Sequence, residues 1–427
     1  MEGTYLGGPW HDDPMNDDTI ELRQPAGDPV SLRAYVAPIA AAFGETIDDA
    51  EFDSELNVFE ADRAIGAVDG EAWVGGGAAY SFRLTVPGRR EVGAAGITGV
   101  GVRPDYRRRG ILTRMMRWLL DQADERGEPV AVLRASEGAI YPHFGFGLAT
   151  LEGSFDMERA DLRFTEAPEP LGQVRLVDLD EAMGVIPDLY DRVRLDTPGQ
   201  IGRSAAKWRA QMLADLGTHH GRLGPKSRAI LEVDGEARAY ALYRTKADWG
   251  DRGPRNEITV MEVIGLDPAA ERAVWAWLAG IDLVARVKAW RTPVPHPLAL
   301  GVRDVRRMGV SVADGLWLRL VDLAGALEGR SYEGSAVTTI ELTDAFRSAN
   351  AGRWRVEVTG GSAAVTRTTD PADLALDTAD LAAVYLGAFR FGDLLRAGRL
   401  TECRPGAAAA ADRVFETHAP AWSSMPF

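Results

Sequence analysis

Between residues 110 and 126 the apolar positions Leu112, Met115, Met116, Leu119, Leu120 and Ala123 fall three or four apart. That spacing stacks them on one face of a helix, which Gly127 and Pro129 end. Ahead of it, residues 63–68, 71–85 and 92–102 read as a strand meander that turns at Pro87-Gly88. Behind it, residues 130–135 form a short apolar strand, and residues 140–144 a helical turn closed by Gly145 and Gly147. Residues 31–43 read as a helix, followed by the acidic stretch 45–60. The first thirty residues, punctuated by Gly7, Gly8, Pro9, Pro14, Gly27 and Pro29, read as a mobile lead-in.

The pattern loosens around residues 156–172, where Pro168 and Pro170 mark a boundary. A second block follows, with helices at 180–194, 204–216 and 271–279 and strands at 228–233, 237–245 and 258–266. It repeats an order seen earlier. Val100-Gly101-Val102-Arg103-Pro104 and Val263-Ile264-Gly265-Leu266-Asp267-Pro268 are each a strand, a proline near its end, then a helix. A third block opens near 315–320, with strands at 337–342, 353–358 and 363–368 before helices at 378–386 and 391–397, an α+β order. The final stretch, 419–427, holds Trp422, Met425 and Phe427. So apolar a segment is expected to dock rather than dangle.

A length of 427 residues suggests about two to three domains. The formal net charge of −15 would repel a phosphate backbone, which argues against nucleic acid as a partner. The same charge suits solubility and would draw in a cationic substrate. The single cysteine, Cys403, excludes an intramolecular disulfide and a Cys-rich zinc site, fits a reducing cytoplasm, and reads as a small packed residue. The adjacent His219 and His220 diverge and no His-x-x-x-His spacing occurs, so metal catalysis has no support. Residues 1–18 lack the basic start and apolar core of a secretory signal. With no run of eighteen apolar residues, no membrane span is expected.

The chemistry concentrates at Val102-Arg103-Pro104-Asp105-Tyr106-Arg107-Arg108-Arg109-Gly110-Ile111-Leu112-Thr113. A strand ends, four arginines crowd a loop, a glycine lets the backbone come close, and a helix starts. A helix N-terminus leaves N–H groups unpaired and carries partial positive charge, so it binds phosphate, and arginines strengthen the site. Neither a Walker loop nor a Rossmann fingerprint is present.

The order strand, Arg-Arg-Arg-Gly-Ile-Leu, amphipathic helix, strand, Tyr-x-x-Phe-Gly-Phe-Gly resembles the GNAT acetyltransferases, with Leu112 departing from the usual last position of the motif. More narrowly, the chain resembles the Eis (enhanced intracellular survival) acetyltransferases. That likeness rests on residues 99–102, 107–112, Ala135-Ser136-Glu137-Gly138, Ile140-Tyr141, Phe144-Gly145-Phe146-Gly147, residues 316–322 and a last residue of phenylalanine. The resemblance implies an α/β (α+β) fold. Tandem GNAT-like mixed-sheet domains would occupy 1–155 and 156–311, the second without a cofactor site because Asp267 and Glu271 stand where the basic loop would be. A sterol-carrier-protein-like α+β domain would occupy 312–427.

It further implies acetyl-CoA as co-substrate, no metal, a small cationic amine such as an aminoglycoside or a lysine-like amine as acceptor, and a homohexamer. Val100, Gly101 and Val102 would bind the pantetheine arm, while Arg108, Arg109, Gly110, Ile111, Leu112 and Thr113 would hold the diphosphate. Ser136 and Glu137 would line the cofactor, Tyr141 would be the general acid and the Phe427 carboxylate the general base. Glu45 would face the substrate. The alternative is a lipid or apolar-ligand carrier with a vestigial transferase site.

Overall fold

The computed structural model describes residues 19–216 and 223–427. The lead-in at 1–18 and the His219–His220 pair lie outside the described residues. The chain divides into two units, one of residues 1–47, 60–78 and 99–119, the other of 48–59, 79–98 and 120–427.

In the first unit, strand β1 (Ile20–Arg23) runs antiparallel to β2 (Ala64–Asp69), which runs antiparallel to the start of β3 (Ala72–Val86). The lead-in read as mobile thus already contains a strand, whose four residues are too few for the alternation to register. Helix α1 (Pro29–Phe43) starts on Asp28, whose carboxylate accepts from the Val30 and Ser31 amides at 3.1 and 3.0 Å, and ends at Gly44 in the left-handed region. It packs closely because β3 carries Gly75-Gly76-Gly77. A Cβ at Gly76 would lie 2.7 Å from Ile39 and 2.8 Å from Tyr35. The Tyr35 hydroxyl donates to the Gly77 carbonyl at 2.9 Å.

In the second unit, β4 (Arg90–Val102) pairs in parallel with β5 (Val130–Arg134) at Ala94–Gly96. Strand Leu316–Leu320 lies antiparallel on the other side of β5, Leu316 opposite Arg134. A second sheet runs in the order Ser311–Asp314, Leu151–Glu158, Val284–Thr292, Asn256–Gly265, Glu236–Lys246, Lys226–Val233, Gln173–Leu176. Its one parallel pair, Asn256–Gly265 with Val284–Thr292, is joined through helix Pro268–Gly280. This is the arrangement of β4 and β5 repeated. The points 155/156 and 311/312 fall inside strands Leu151–Glu158 and Ser311–Asp314, and Leu316–Leu320 joins β5 rather than the third block. Pairings between distant segments leave no local trace in composition. A third sheet of five strands, in the order Ser362–Arg367, Gly352–Thr359, Ala336–Thr343, Leu374–Asp377, Leu400–Glu402, packs with helices Thr378–Tyr385, Phe391–Arg396 and Ala407–Phe415.

One element was not read, and one local reading changes. The acidic stretch contains helix α2 (Asp49–Leu56), capped by the Asp48 carboxylate on the Glu51 amide at 3.0 Å and buried only at Phe52. One apolar contact leaves no periodicity to read. Cys403 is exposed rather than packed. Among the described residues no helix is long and apolar enough to cross a membrane, and no group of three or more His, Cys, Asp and Glu could hold a metal ion.

Candidate active site

The basic loop belongs to the first unit. After β4 the Arg103 amide bonds the Val74 carbonyl at 2.9 Å, and residues Pro104–Tyr106 make a 3₁₀ turn. Tyr106 organises the arginines around it. Its hydroxyl donates to Asp69 at 2.8 Å, and the guanidinium groups of Arg103 and Arg109 lie 5.1 and 4.6 Å from its ring centre. The four arginines are therefore not equivalent. Arg103 forks onto Asp105 at 3.1 and 2.7 Å, and Arg109 donates to the Asp105 carbonyl at 3.3 Å. Arg107 and Arg108 are exposed.

Two residues of the loop, Arg108 at φ 63° and Gly110 at φ 71°, take the left-handed conformation. Such turns aim successive amides at one point, a cradle for anions. Helix α3 (Ile111–Glu125) follows, its first regular bond running from the Arg114 amide to the Gly110 carbonyl at 3.1 Å. The N–H groups of Ile111, Leu112 and Thr113 thus have no carbonyl one turn back in the helix, and its positive end faces the loop. Ile111, Met115, Met116 and Leu119 are buried, and the Arg114 side chain donates to the Ile20 carbonyl at 2.8 Å, so the helix start is held firmly.

The backbone at Val100–Val102 runs over bare glycine. A Cβ at Gly75 would lie 2.9 Å from the Gly101 carbonyl, and one at Gly101 would lie 3.1 Å from Ala42. Glu45, also in this unit, is exposed, one residue past the left-handed Gly44. The rest of the acidic run belongs to the second unit and much of it is engaged. Asp48 caps α2, and Glu55 accepts from the Tyr80 hydroxyl at 3.2 Å and from Gln211 at 3.0 and 3.2 Å.

Ser136, Glu137 and Tyr141 are brought together in the second unit. Tyr141 opens the turn Tyr141–Phe144, which Gly145 closes at φ 78°. The phenol is 7% exposed. Burial pushes its pKa above the ordinary value; a hydrogen bond with Ser136 opposes the shift, and the negative charge of Glu137 adds to it. The group stays protonated across the physiological range, as a proton donor must.

The apolar tail is docked, with Ala421, Ser423, Ser424 and Met425 buried. The Trp422 amide donates to Pro198 at 2.9 Å and its indole to the Arg291 carbonyl at 2.6 Å. Arg203 donates to the Ser424 hydroxyl at 2.8 Å, and the Phe427 ring packs edge-on against Phe82 at 4.9 Å. Behind Ser424 the Arg203 guanidinium grips the Glu262 carboxylate at 2.6 and 3.0 Å, and Tyr240 donates to the same carboxylate at 2.6 Å. No motif or spacing marks Arg203 as a site residue. Its one visible signal is an arginine placed just before a helix in an otherwise acidic chain.

At the matching place in the second sheet, Asp267 caps its helix through the Ala270 amide at 2.9 Å and pairs with Arg238 at 2.5 Å. Glu271 is half-buried, and desolvation pushes its carboxyl pKa up. A cavity of about 350 Å³ opens there, with Glu262, Asp267, Glu271, Trp275, Trp290 and Trp422 among its walls. Arg194 and Arg291 line it as well, so acidic and basic groups are mixed there, unlike the run of arginines in the basic loop.

Comparison with known proteins places names beside this geometry. The family described as "Acetyltransferase (GNAT) domain" matches residues 30–149 and, through a second model with the same description, residues 199–320. The "Sterol carrier protein domain" family matches residues 323–424. An uncharacterized N-acetyltransferase of Streptomyces avermitilis is 39% identical over 413 residues, covering 96% of this chain and 99% of that one. The N-acetyltransferase Eis of Mycobacterium tuberculosis is 33% identical over 374 residues, covering 85% of this chain and 88% of its own. The crystal structure of Eis1 from Mycobacterium abscessus superposes with a TM-score of 0.81 at 30% identity, covering 95% of this chain and 100% of that one.

Proposed function

The chain belongs to the Eis family of GNAT N-acetyltransferases, with two GNAT domains and a sterol-carrier-protein-like domain. From that premise we propose that it transfers the acetyl group of acetyl-CoA to a primary amine in a ternary complex. The observation that carries this reading is the Arg107–Thr113 segment, where left-handed residues, a helix N-terminus and exposed guanidinium groups converge. That donor set fits a diphosphate, for which Arg108, Arg109, Gly110, Ile111, Leu112 and Thr113 are the ligands. The extended backbone of Val100, Gly101 and Val102 pairs with the amide-bearing arm by strand addition. Ser136 and Glu137 line the cofactor.

In the reaction the neutral amine attacks the thioester carbonyl, so a C–N bond forms as the C–S bond breaks. Tyr141 gives its phenolic proton to the departing thiolate, a group of comparable basicity. The Phe427 carboxylate receives the proton lost by the nitrogen. A free α-carboxylate has a pKa of about 3.5, so it is a weak base in water. The same negative charge also positions the incoming ammonium, which loses one proton to solvent before the neutral amine attacks. Glu45 and the protein's net charge of −15 favour a cationic acceptor, with aminoglycosides and polyamines the leading class. A homohexamer is part of this proposal, on the family resemblance alone, and light scattering tests it.

The enzymatic test is release of free CoA thiol from acetyl-CoA across a panel of aminoglycosides, polyamines, monoamines and lysine peptides. Amine-dependent release by at least one class is expected. Thiol release that no amine stimulates would overturn the reading.

A further inference from the structure

Residues 421–427 form neither helix nor strand, yet the backbone there is buried through Met425. Buried carbonyls need donors, and an irregular segment has no neighbouring strand to supply them. Arg134, the last residue of β5, supplies two of them. Its Nε donates to the Met425 carbonyl at 2.9 Å and one terminal nitrogen to the Ser423 carbonyl at 2.8 Å. The other terminal nitrogen is held by the Glu152 carboxylate of strand Leu151–Glu158. A guanidinium is planar, so fixing it on three sides fixes its orientation, and two acceptors bound in its plane cannot move independently.

Little freedom remains beyond the grip. Pro426 follows Met425 directly, which locks its own φ and restricts the residue before it. The Phe427 ring rests on Phe82 and Ser424 is tied to Arg203. Gly199 makes room for the tail: a Cβ there would lie 2.9 Å from the Trp422 carbonyl. The Phe427 carboxylate is thus two residues from a carbonyl clamped by the strand that leads into Ser136 and Glu137.

We propose that Arg134, locked by Glu152, is a positioning residue that sets where the Phe427 carboxylate stands for proton transfer. This inference rests on the reading of Phe427 as the base. A displacement of about 1 Å in a reacting group can cost ~100-fold in rate. Lysine at 134 keeps the charge but has no fork and can hold only one carbonyl at a time.

The experiment compares wild type, Arg134→Lys, Glu152→Gln and a chain lacking Phe427. The readouts are kcat, the KM for acetyl-CoA, and release of Phe427 by a carboxypeptidase that accepts a penultimate proline. Arg134→Lys is expected to lower kcat roughly 10- to 100-fold while the acetyl-CoA KM stays within about twofold and Phe427 is released faster. Glu152→Gln, which leaves both carbonyl bonds possible, should shift kcat and release the same way by less, and it decides the matter should Arg134→Lys not fold. A purely structural arginine would not separate kcat from KM. Native kcat and native protease resistance in both variants, with the shortened chain inactive, overturn the positioning role and leave the base intact. Wild-type turnover by the shortened chain overturns the base itself.

Discussion

Replacing Arg203 with methionine removes one half of an ion pair whose two side chains are both 0% exposed. Arg203 meets Glu262 at 2.6 and 3.0 Å, lies 4.0 Å from the Tyr190 ring centre and 4.5 Å from that of Trp208, and donates to Ser424. Methionine fills much of the space between the rings but leaves Glu262 with only the Tyr240 and Ser424 hydroxyls and without its guanidinium partner. Breaking a buried pair from one side costs about 3–5 kcal/mol, because the remaining charge has lost both water and partner. At about 2–4 °C per kcal/mol for a domain of 150–250 residues, the unfolding transition of the second sheet should drop by roughly 6–20 °C.

The pH dependence gives a second check. Burial alone would raise the Glu262 pKa, but the Arg203 charge and hydrogen bonds hold it below the usual value. In wild type this group stabilises the fold above the unfolded carboxylate pKa of about 4.3, and the contribution is lost on acidification. In the variant burial wins, the folded pKa rises above the unfolded one, and Glu262 stabilises only when protonated. The deficit should therefore grow from pH 5.5 to pH 8, and Glu262→Gln added to Arg203→Met should recover most of it. Calorimetric scans of the single and double variants at both pH values measure this. A loss below about 1 kcal/mol, unchanged between the two pH values, would refute the reasoning.

Two other outcomes follow from the same geometry. His296 accepts from the Leu298 amide at 3.1 Å among Phe155 and Trp275, and burial pushes its pKa down to about 4. The unfolded chain binds the proton near pH 6.5, so roughly 3 kcal/mol of stability should vanish as pH falls from about 6.5 to 4. His296→Asn should flatten that slope in guanidinium titrations, and an unchanged slope would contradict the assignment. Tyr141→Phe should lower kcat about 10²- to 10⁴-fold with the acetyl-CoA KM little changed. Because burial raises the phenol's pKa, the wild-type rate should show no descending limb assignable to this acid below about pH 10; a limb near neutrality that vanishes in Tyr141→Phe would count against it.

The parts of this molecule that the sequence disclosed are those whose physics is local. Helix α3 was legible because six apolar residues share a face and Gly127 stops it, and the basic loop because arginines and a glycine adjoin that helix. Strand Val284–Thr292 escaped notice because Arg286 and Lys288 interrupt its apolar run. In the folded chain they pair with Asp156 and Glu257, respectively, on the neighbouring strands. The mooring of the tail was illegible for a different reason. Arg134 reaches carbonyls 291 and 289 residues away, and Arg203 a hydroxyl 221 residues away, so nothing near either arginine announces its partner. The triple glycine of β3 shows in the sequence only as part of a strand, whereas its use is close approach to α1 and to Gly101.

The claim on which the rest depends is that the turn into α3 grips the diphosphate of acetyl-CoA. Titration calorimetry of acetyl-CoA into wild type and into the double variant Arg108→Ala, Arg109→Ala measures it directly. Saturable binding by wild type is predicted, weakened about 10-fold or more in the variant and weakening further with added salt, since each charge-assisted hydrogen bond is worth about 1.5–3 kcal/mol. No heat of binding with wild type, or equal affinity in the two proteins, would contradict the account.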